Sequence, residues 1–147
     1  MNKLTIISVG KLKDEGLRKI ENDYLKRINS FKIEVIESKA YSEDKDKEAK
    51  KVLEIIRSKE NSPTIILLSE RGQEFDSAGF AQFLNKKQGH VFLVFGGAAG
   101  HGEEIIKAAH GELSLSKLTF AHQLARIVLM EQLYRAHTLL TGHPYHK

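Results

Sequence analysis

Five short apolar or β-branched segments, Leu4–Val9, Lys32–Glu37, Thr64–Ser69, His90–Phe95 and Glu112–Ser116, recur along the chain. Most are bounded by Gly, Pro, Ser or Asn, the residues that end strands. Between them lie stretches with helical spacing. In Asp14–Asn29 the residues Leu17, Ile20, Tyr24, Leu25 and Ile28 share one face. Glu43–Lys59 carries the stripe Ala49, Val52, Leu53 and Ile56. Asp76–Lys86, Glu103–His110 and the long His122–Leu140 complete the set. Strands that alternate with helices need crossover connections, so the pattern specifies an α/β fold. The expected form is a mostly parallel sheet of five to six strands with helices on both faces.

At 147 residues a single domain, 1–147, is the expectation, with enough chain to bury a core. There is no repeat, low-complexity tract or linker. The absence of cysteine removes thiolate catalysis, disulfides and cysteine-ligated zinc together. The apolar run Leu4–Val9 is too short for a signal-peptide core or a membrane span, so a soluble cytoplasmic protein with no membrane partner is expected. A net charge of +4 permits a polyanionic partner without requiring one. The run "SEDKDKEAKK" at 42–51 mixes both signs and reads as a solvated helix face.

The stretch "VFLVFGGAAGHGEE" at 91–104 places a glycine loop between a strand and a helix, where parallel sheets bind ligands. Gly96 and Gly97 are not followed by the Lys-Ser/Thr pair of a P-loop. Gly97, Gly100 and Gly102 run in the reverse order of a dinucleotide fingerprint. Glu103 and Glu104 also put negative charge where a phosphate would sit. The loop therefore favours a ligand without phosphates, neutral or cationic. S-adenosylmethionine fits that description, and so does a plain strand-to-helix turn.

The last helical stretch is apolar on more than one face: Leu124, Ile127, Val128, Met130, Leu133, Tyr134, Ala136, Leu139 and Leu140. A twofold homodimer is the favoured explanation, and burial on two sides within one subunit is the alternative. From Leu113 onward, Lys117, Arg126, Arg135 and Lys147 oppose the single acid Glu131. His122 and Arg126, four apart, share a helix face. The chain closes in "GHPYHK", where Gly142 and Pro144 end the helix. A Tyr-, His- and Lys-bearing tail beside a basic helix suits phosphate contact and base stacking, and the competing readings are a frayed end and basic residues that only solvate a surface. A metal at His143 and His146 lacks a further ligand.

The segment "AHQLARIVLMEQLYRAHTLLTGHPYHK" at 121–147 resembles the C-terminal signature of the ribosomal RNA large subunit methyltransferase H family. "IISVGKLK" at 6–13, "LLSERGQEFDSAGFA" at 67–81, "VFGGAAG" at 94–100 and "LSLSKLTF" at 113–120 resemble its other blocks in order. The resemblance spans nearly the whole chain. It implies the SPOUT fold with a C-terminal trefoil knot, a homodimer, S-adenosylmethionine as cofactor, and methylation of N3 of the helix 69 pseudouridine of 23S rRNA within the assembled ribosome. Carried over by motif, cofactor contacts fall on Leu68, Gly97, Leu115, Ser116, Lys117, Leu118, Thr119 and Phe120. Substrate RNA is expected at His122, Arg126, Arg135, Tyr145, His146 and Lys147, with Arg135, Tyr145 and His146 as catalytic candidates. Ser69, Ala121 and Gly102 depart from the usual Asp, Pro and Ser. The alternatives are a non-catalytic ribosome-binding protein of the same fold and a SPOUT methyltransferase acting on tRNA.

Overall fold

The computed structural model describes residues 1–147 and arranges them around a five-stranded, fully parallel sheet. In chain order the elements are β1 (Lys3–Val9), α1 (Glu15–Arg27), β2 (Lys32–Ser38), α2 (Lys45–Lys59), β3 (Thr64–Glu74), α3 (Ser77–Asn85), β4 (His90–Phe95), α4 (Glu103–Ala108), β5 (Gly111–Ser114) and α5 (His122–Thr141). The strand order is β2-β1-β4-β3-β5. The expected α/β architecture and every expected element are present. Two strand ends differ by more than one residue. β5 ends at Ser114, two residues early, and β3 runs five residues past Ser69.

Strand alternation divides the core between two faces. Leu4, Ile6, Ile66, Leu68, Val91, Leu93 and Phe95 point to one side, where α1, α3 and α5 cover them. Ile7, Val9, Ile65, Leu67, Phe92 and Val94 point to the other, against Ala49, Val52, Leu53 and Ile56 of α2 and Ile105 of α4. Asp14, Asp44 and Asp76 start α1, α2 and α3, each accepting a hydrogen bond from an amide three residues on.

α5 packs against both α1 and α3, which accounts for much of its apolar breadth inside one subunit. Leu129, Met130, Leu133 and Ala136 are fully buried there, whereas Leu124 remains half exposed. Two features set how α5 begins. Residues 115–121 leave the edge strand β5 and cross the carboxyl ends of β3 and β4, so that the His122 ring bonds the Gly96 carbonyl at 2.7 Å. The Gln123 amide oxygen then accepts from the backbone of Lys13, at 3.3 Å, beyond the end of β1. From that edge α5 runs back toward the amino ends of the strands, where His137 meets Ser30 at 2.7 Å.

Candidate active site

β3 and β5 lose register between Leu68 and Gln73, because residues 69–72 bulge outward before pairing resumes. The bulge opens a cleft of about 120 Å³ at the carboxyl edge, lined by Leu68, Ser69, Glu70, Phe95, Leu113, Ser114, Leu115, Ser116, Leu118, Phe120 and Ala125. A second, more polar lobe continues from Leu68, Ser69 and Glu70 to Arg71, Gly96, Gly97, Gly100, His101 and Glu112. An apolar cleft with a few polar groups at the carboxyl edge of a parallel sheet is the usual setting of a small-molecule site.

The wall formed by residues 115–120 is held by side chains, not by a ladder. The Ser114 hydroxyl donates to the Ser116 carbonyl at 3.0 Å, and the Leu118 amide donates to the Ser116 hydroxyl at 2.9 Å. The backbone amides of Lys117, Thr119 and Phe120 have no acceptor within the protein. Such a row of free donors and carbonyls beside apolar side chains can read the edge of a planar heterocycle. Opposite it, the Gly100 amide donates to the Gly97 carbonyl at 3.0 Å and closes the glycine turn. The His101 ring packs behind this turn, with Nε2 2.8 Å from the Leu68 carbonyl. Burial outweighs that bond and lowers the His101 pKa, which keeps the ring neutral. Because a carbonyl only accepts, Nε2 carries the proton.

Of the expected cofactor residues, Leu68, Leu115, Ser116, Leu118 and Phe120 line the first lobe and Gly97 the second. Lys117 and Thr119 lie on the same segment but are exposed, Lys117 reaching only Glu74 at 3.9 Å. Gly102 in place of Ser has a packing cause. A Cβ there would lie 2.4 Å from the Lys45 carbonyl, so α2 leaves no room for a side chain. Ser69 accepts from the Arg71 amide at 3.2 Å and braces the bulge.

Arg126 requires a correction. Expected at substrate RNA, it is 2% exposed and faces inward. Its guanidinium forks onto Glu21 of α1 at 2.6 and 2.8 Å and reaches Glu37 of β2 at 2.8 Å. It ties α5 to the fold and is unavailable to RNA. The charge run at 42–51 also needs one exception: Glu48 is 3% exposed. Sequence reasoning missed Glu48, along with the cleft residues Phe95, Leu113, Ser114 and Ala125 and the ring of His101. For Glu48 the signal was its place beside Ala49, at the start of the buried stripe.

The C-terminal cluster lies elsewhere. Arg135 and Tyr145 both bond Glu131, and Arg135 Nη1 lies 3.0 Å from His146 Nδ1. The Arg135 guanidinium also sits over the Tyr145 ring at 4.9 Å, and Tyr145 packs edge-on against Tyr134 at 4.8 Å. Burial, reinforced by the Glu131 carboxylate, pushes the Tyr145 phenol up to about 12, so it remains protonated. Because a guanidinium only donates, His146 Nδ1 is the acceptor. The hydrogen bond to Glu131 raises the Arg135 pKa further. His143 and Lys147 are exposed beside them, and His122 is exposed at the opposite end of the helix. From Ala125 at the cleft to Arg135 is ten residues of helix, about 15 Å. One subunit therefore holds the cleft and the tail apart.

A family model described as "Predicted SPOUT methyltransferase" matches residues 2–146. A protein of Ruminiclostridium cellulolyticum named "Ribosomal RNA large subunit methyltransferase H" is 38% identical over 161 aligned positions, covering 99% of each chain. A protein of the same name from Koribacter versatilis is 36% identical, covering 98% of this chain and 97% of its own. Among solved structures, a "probable methylase family protein" from Haemophilus influenzae superposes with a TM-score of 0.54 at 13% identity. That match covers 99% of this chain and 70% of the other and shows likeness of fold.

Proposed function

The chain belongs to the SPOUT methyltransferase family, and from that premise we propose that it transfers a methyl group from S-adenosylmethionine to N3 of the helix 69 pseudouridine in large-subunit ribosomal RNA. The observation that carries this reading is the wall at 115–120, whose free backbone groups flank an apolar cleft at the sheet edge. The residues fit the cofactor. The free amides and carbonyls of the wall suit an adenine edge, Leu68, Leu115, Leu118 and Phe120 suit its faces, and Gly97 leaves the second lobe open. When bound there, the cofactor supplies an electrophilic sulfonium methyl. The fold's trefoil knot is part of the same reading, and the crossing of residues 115–121 over the strand ends supports it.

The tail acts on the base. Uracil-type N3 carries a proton and is a poor nucleophile until that proton is lost. Arg135 is a fixed cation, suited to stabilising the N3 anion as the proton leaves to solvent. Tyr145 stays protonated and held by Glu131, so it donates a hydrogen bond and offers a ring to stack on, rather than serving as a base. His146 has Nδ1 occupied by Arg135 in the free chain, which leaves a donor at Nε2. His122 and Lys147 are exposed for phosphate contact. Since the cleft and tail of one subunit are about 15 Å apart along α5, they bracket one methyl group only when two subunits share a site. Leu118 and Leu124, both exposed beside the cleft, offer the apolar surface for that pairing.

The test is transfer of labelled methyl from S-adenosylmethionine to assembled ribosomes, free 23S rRNA and tRNA. Label confined to N3 of the pseudouridine in large-subunit RNA is expected. Label on tRNA alone, or none with any substrate, contradicts the proposal.

A further inference from the structure

Glu48 is the one buried carboxylate in the fold that is left half satisfied. Its Oε2 accepts the Tyr41 amide at 2.9 Å, while Oε1 is sealed from solvent and has no partner. Arg126 neutralises buried Glu21, but no cation pairs with Glu48. A native buried polar atom without a partner is rare and costly, and it calls for a reason.

Its position supplies one. Oε1 lies directly beneath the glycine turn, where a Cβ on Gly97 would be 2.7 Å from it and 3.2 Å from Val9. Gly97, which lies against this oxygen, also lines the second lobe of the cleft. On its own side Glu48 packs close to Val9, Val52, Val94 and the neutral His101 around a void of only about 10 Å³, with Lys45 at the rim. An ionised carboxylate in such a place is poorly screened, so its field would reach the cleft floor more strongly than that of a solvated one. The groups lining the lobe above it are Glu70, Glu112 and Arg71, all exposed and screened by water.

We infer that Glu48 is a specificity-determining residue: a buried counter-charge under Gly97 that makes the cleft prefer a cationic ligand to a neutral one of the same shape. The inference rests on the cofactor reading above. S-adenosylmethionine is a sulfonium cation at the reacting centre, and the thioether left after methyl transfer is neutral there. A fixed negative charge below the turn holds the methyl donor and loosens its grip once the methyl is gone. It acts through space, without touching the reacting atoms, and so favours exchange of product for fresh donor.

The experiment is calorimetric titration of the whole chain, unaltered and as Glu48→Gln, with S-adenosylmethionine and with S-adenosylhomocysteine. Gln keeps the size of the side chain and an acceptor for the Tyr41 amide while removing the charge. The variant is expected to melt at or above the temperature of the unaltered chain. It should bind the cation about tenfold more weakly and the thioether within about twofold of before. Should Gln fail to fold, Glu48→Met removes the same charge with similar volume and carries the same expectation. Equal weakening of both ligands would make Glu48 a plain support for the loop and overturn the inference, as would no change in either. If the unaltered chain binds neither ligand, the cofactor reading itself fails and takes this inference with it. If it binds both and only the selectivity is insensitive to Glu48, the cofactor reading stands.

Discussion

Arg126 shows how far one residue's role departs from its appearance in sequence. On the helix it sits one turn after His122, and both look like parts of a basic face. Its partners Glu21 and Glu37 lie 105 and 89 positions away, so nothing local announces them. Replacing Arg126 by Met leaves buried Glu21 without its cation and Glu37 with only Arg18, at 3.3 Å, and should cost about 3–5 kcal/mol, read by urea unfolding. Were Arg126 an RNA contact, stability would hold and only RNA binding would weaken. The same network sets an acid limit. Burial pushes the Glu37 carboxyl up, but the Leu12 amide and the Arg126 guanidinium outweigh it and hold it below the ordinary 4.5. Glu34 is likewise lowered, with Lys3 and Thr5 outweighing burial. Because the folded values lie below the unfolded ones, their stabilisation is complete above the unfolded value and is lost as pH falls through the folded one. Unfolding midpoints should therefore drop as pH is lowered beneath about 4.5, and the Glu37 share of that drop should shrink in Arg126→Met.

At the level of elements, periodicity made the strands and helices legible because each is a local pattern in which burial repeats at two or 3.6 residues. The cleft wall was legible only as a motif. Residues 113–118, "LSLSKL", alternate like a strand, yet the strand stops at Ser114. The Ser114 and Ser116 hydroxyls take over bonds that a ladder would make, and this frees the backbone beyond them. The bulge in β3 has the same character, being a property of pairing with β5 rather than of residues 69–72 alone. Ser116→Ala removes the brace on the Leu118 amide while leaving the core untouched. S-adenosylmethionine affinity should fall several-fold by calorimetry, with a melting temperature within about 2 °C of the unaltered chain, since the site is on the surface. An unchanged affinity would mean that the wall is ordered by other means.

Across the whole molecule, alternating strands and helices announced a parallel sheet, but the order β2-β1-β4-β3-β5 depends on long-range pairing that no window of sequence contains. The apolar surface of α5 is taken up largely by α1 and α3 while Leu124 stays half exposed, so its breadth does not by itself reveal a partner. The separation of cleft and tail along α5 is the stronger argument, and it appears only in three dimensions. No helix is long and apolar enough to cross a membrane. On the shared-site proposal, methyl transfer needs the cleft of one subunit and the tail of another. Its most direct measurement mixes two inactive chains in equal amounts: one truncated after Gly142, and one with the cleft filled by Ala125→Phe. Labelled methyl transfer to ribosomal RNA should reappear at about a quarter of the unaltered rate, since half the dimers are mixed and each mixed dimer has one intact site. No recovery from a mixture shown to contain mixed dimers would contradict the account.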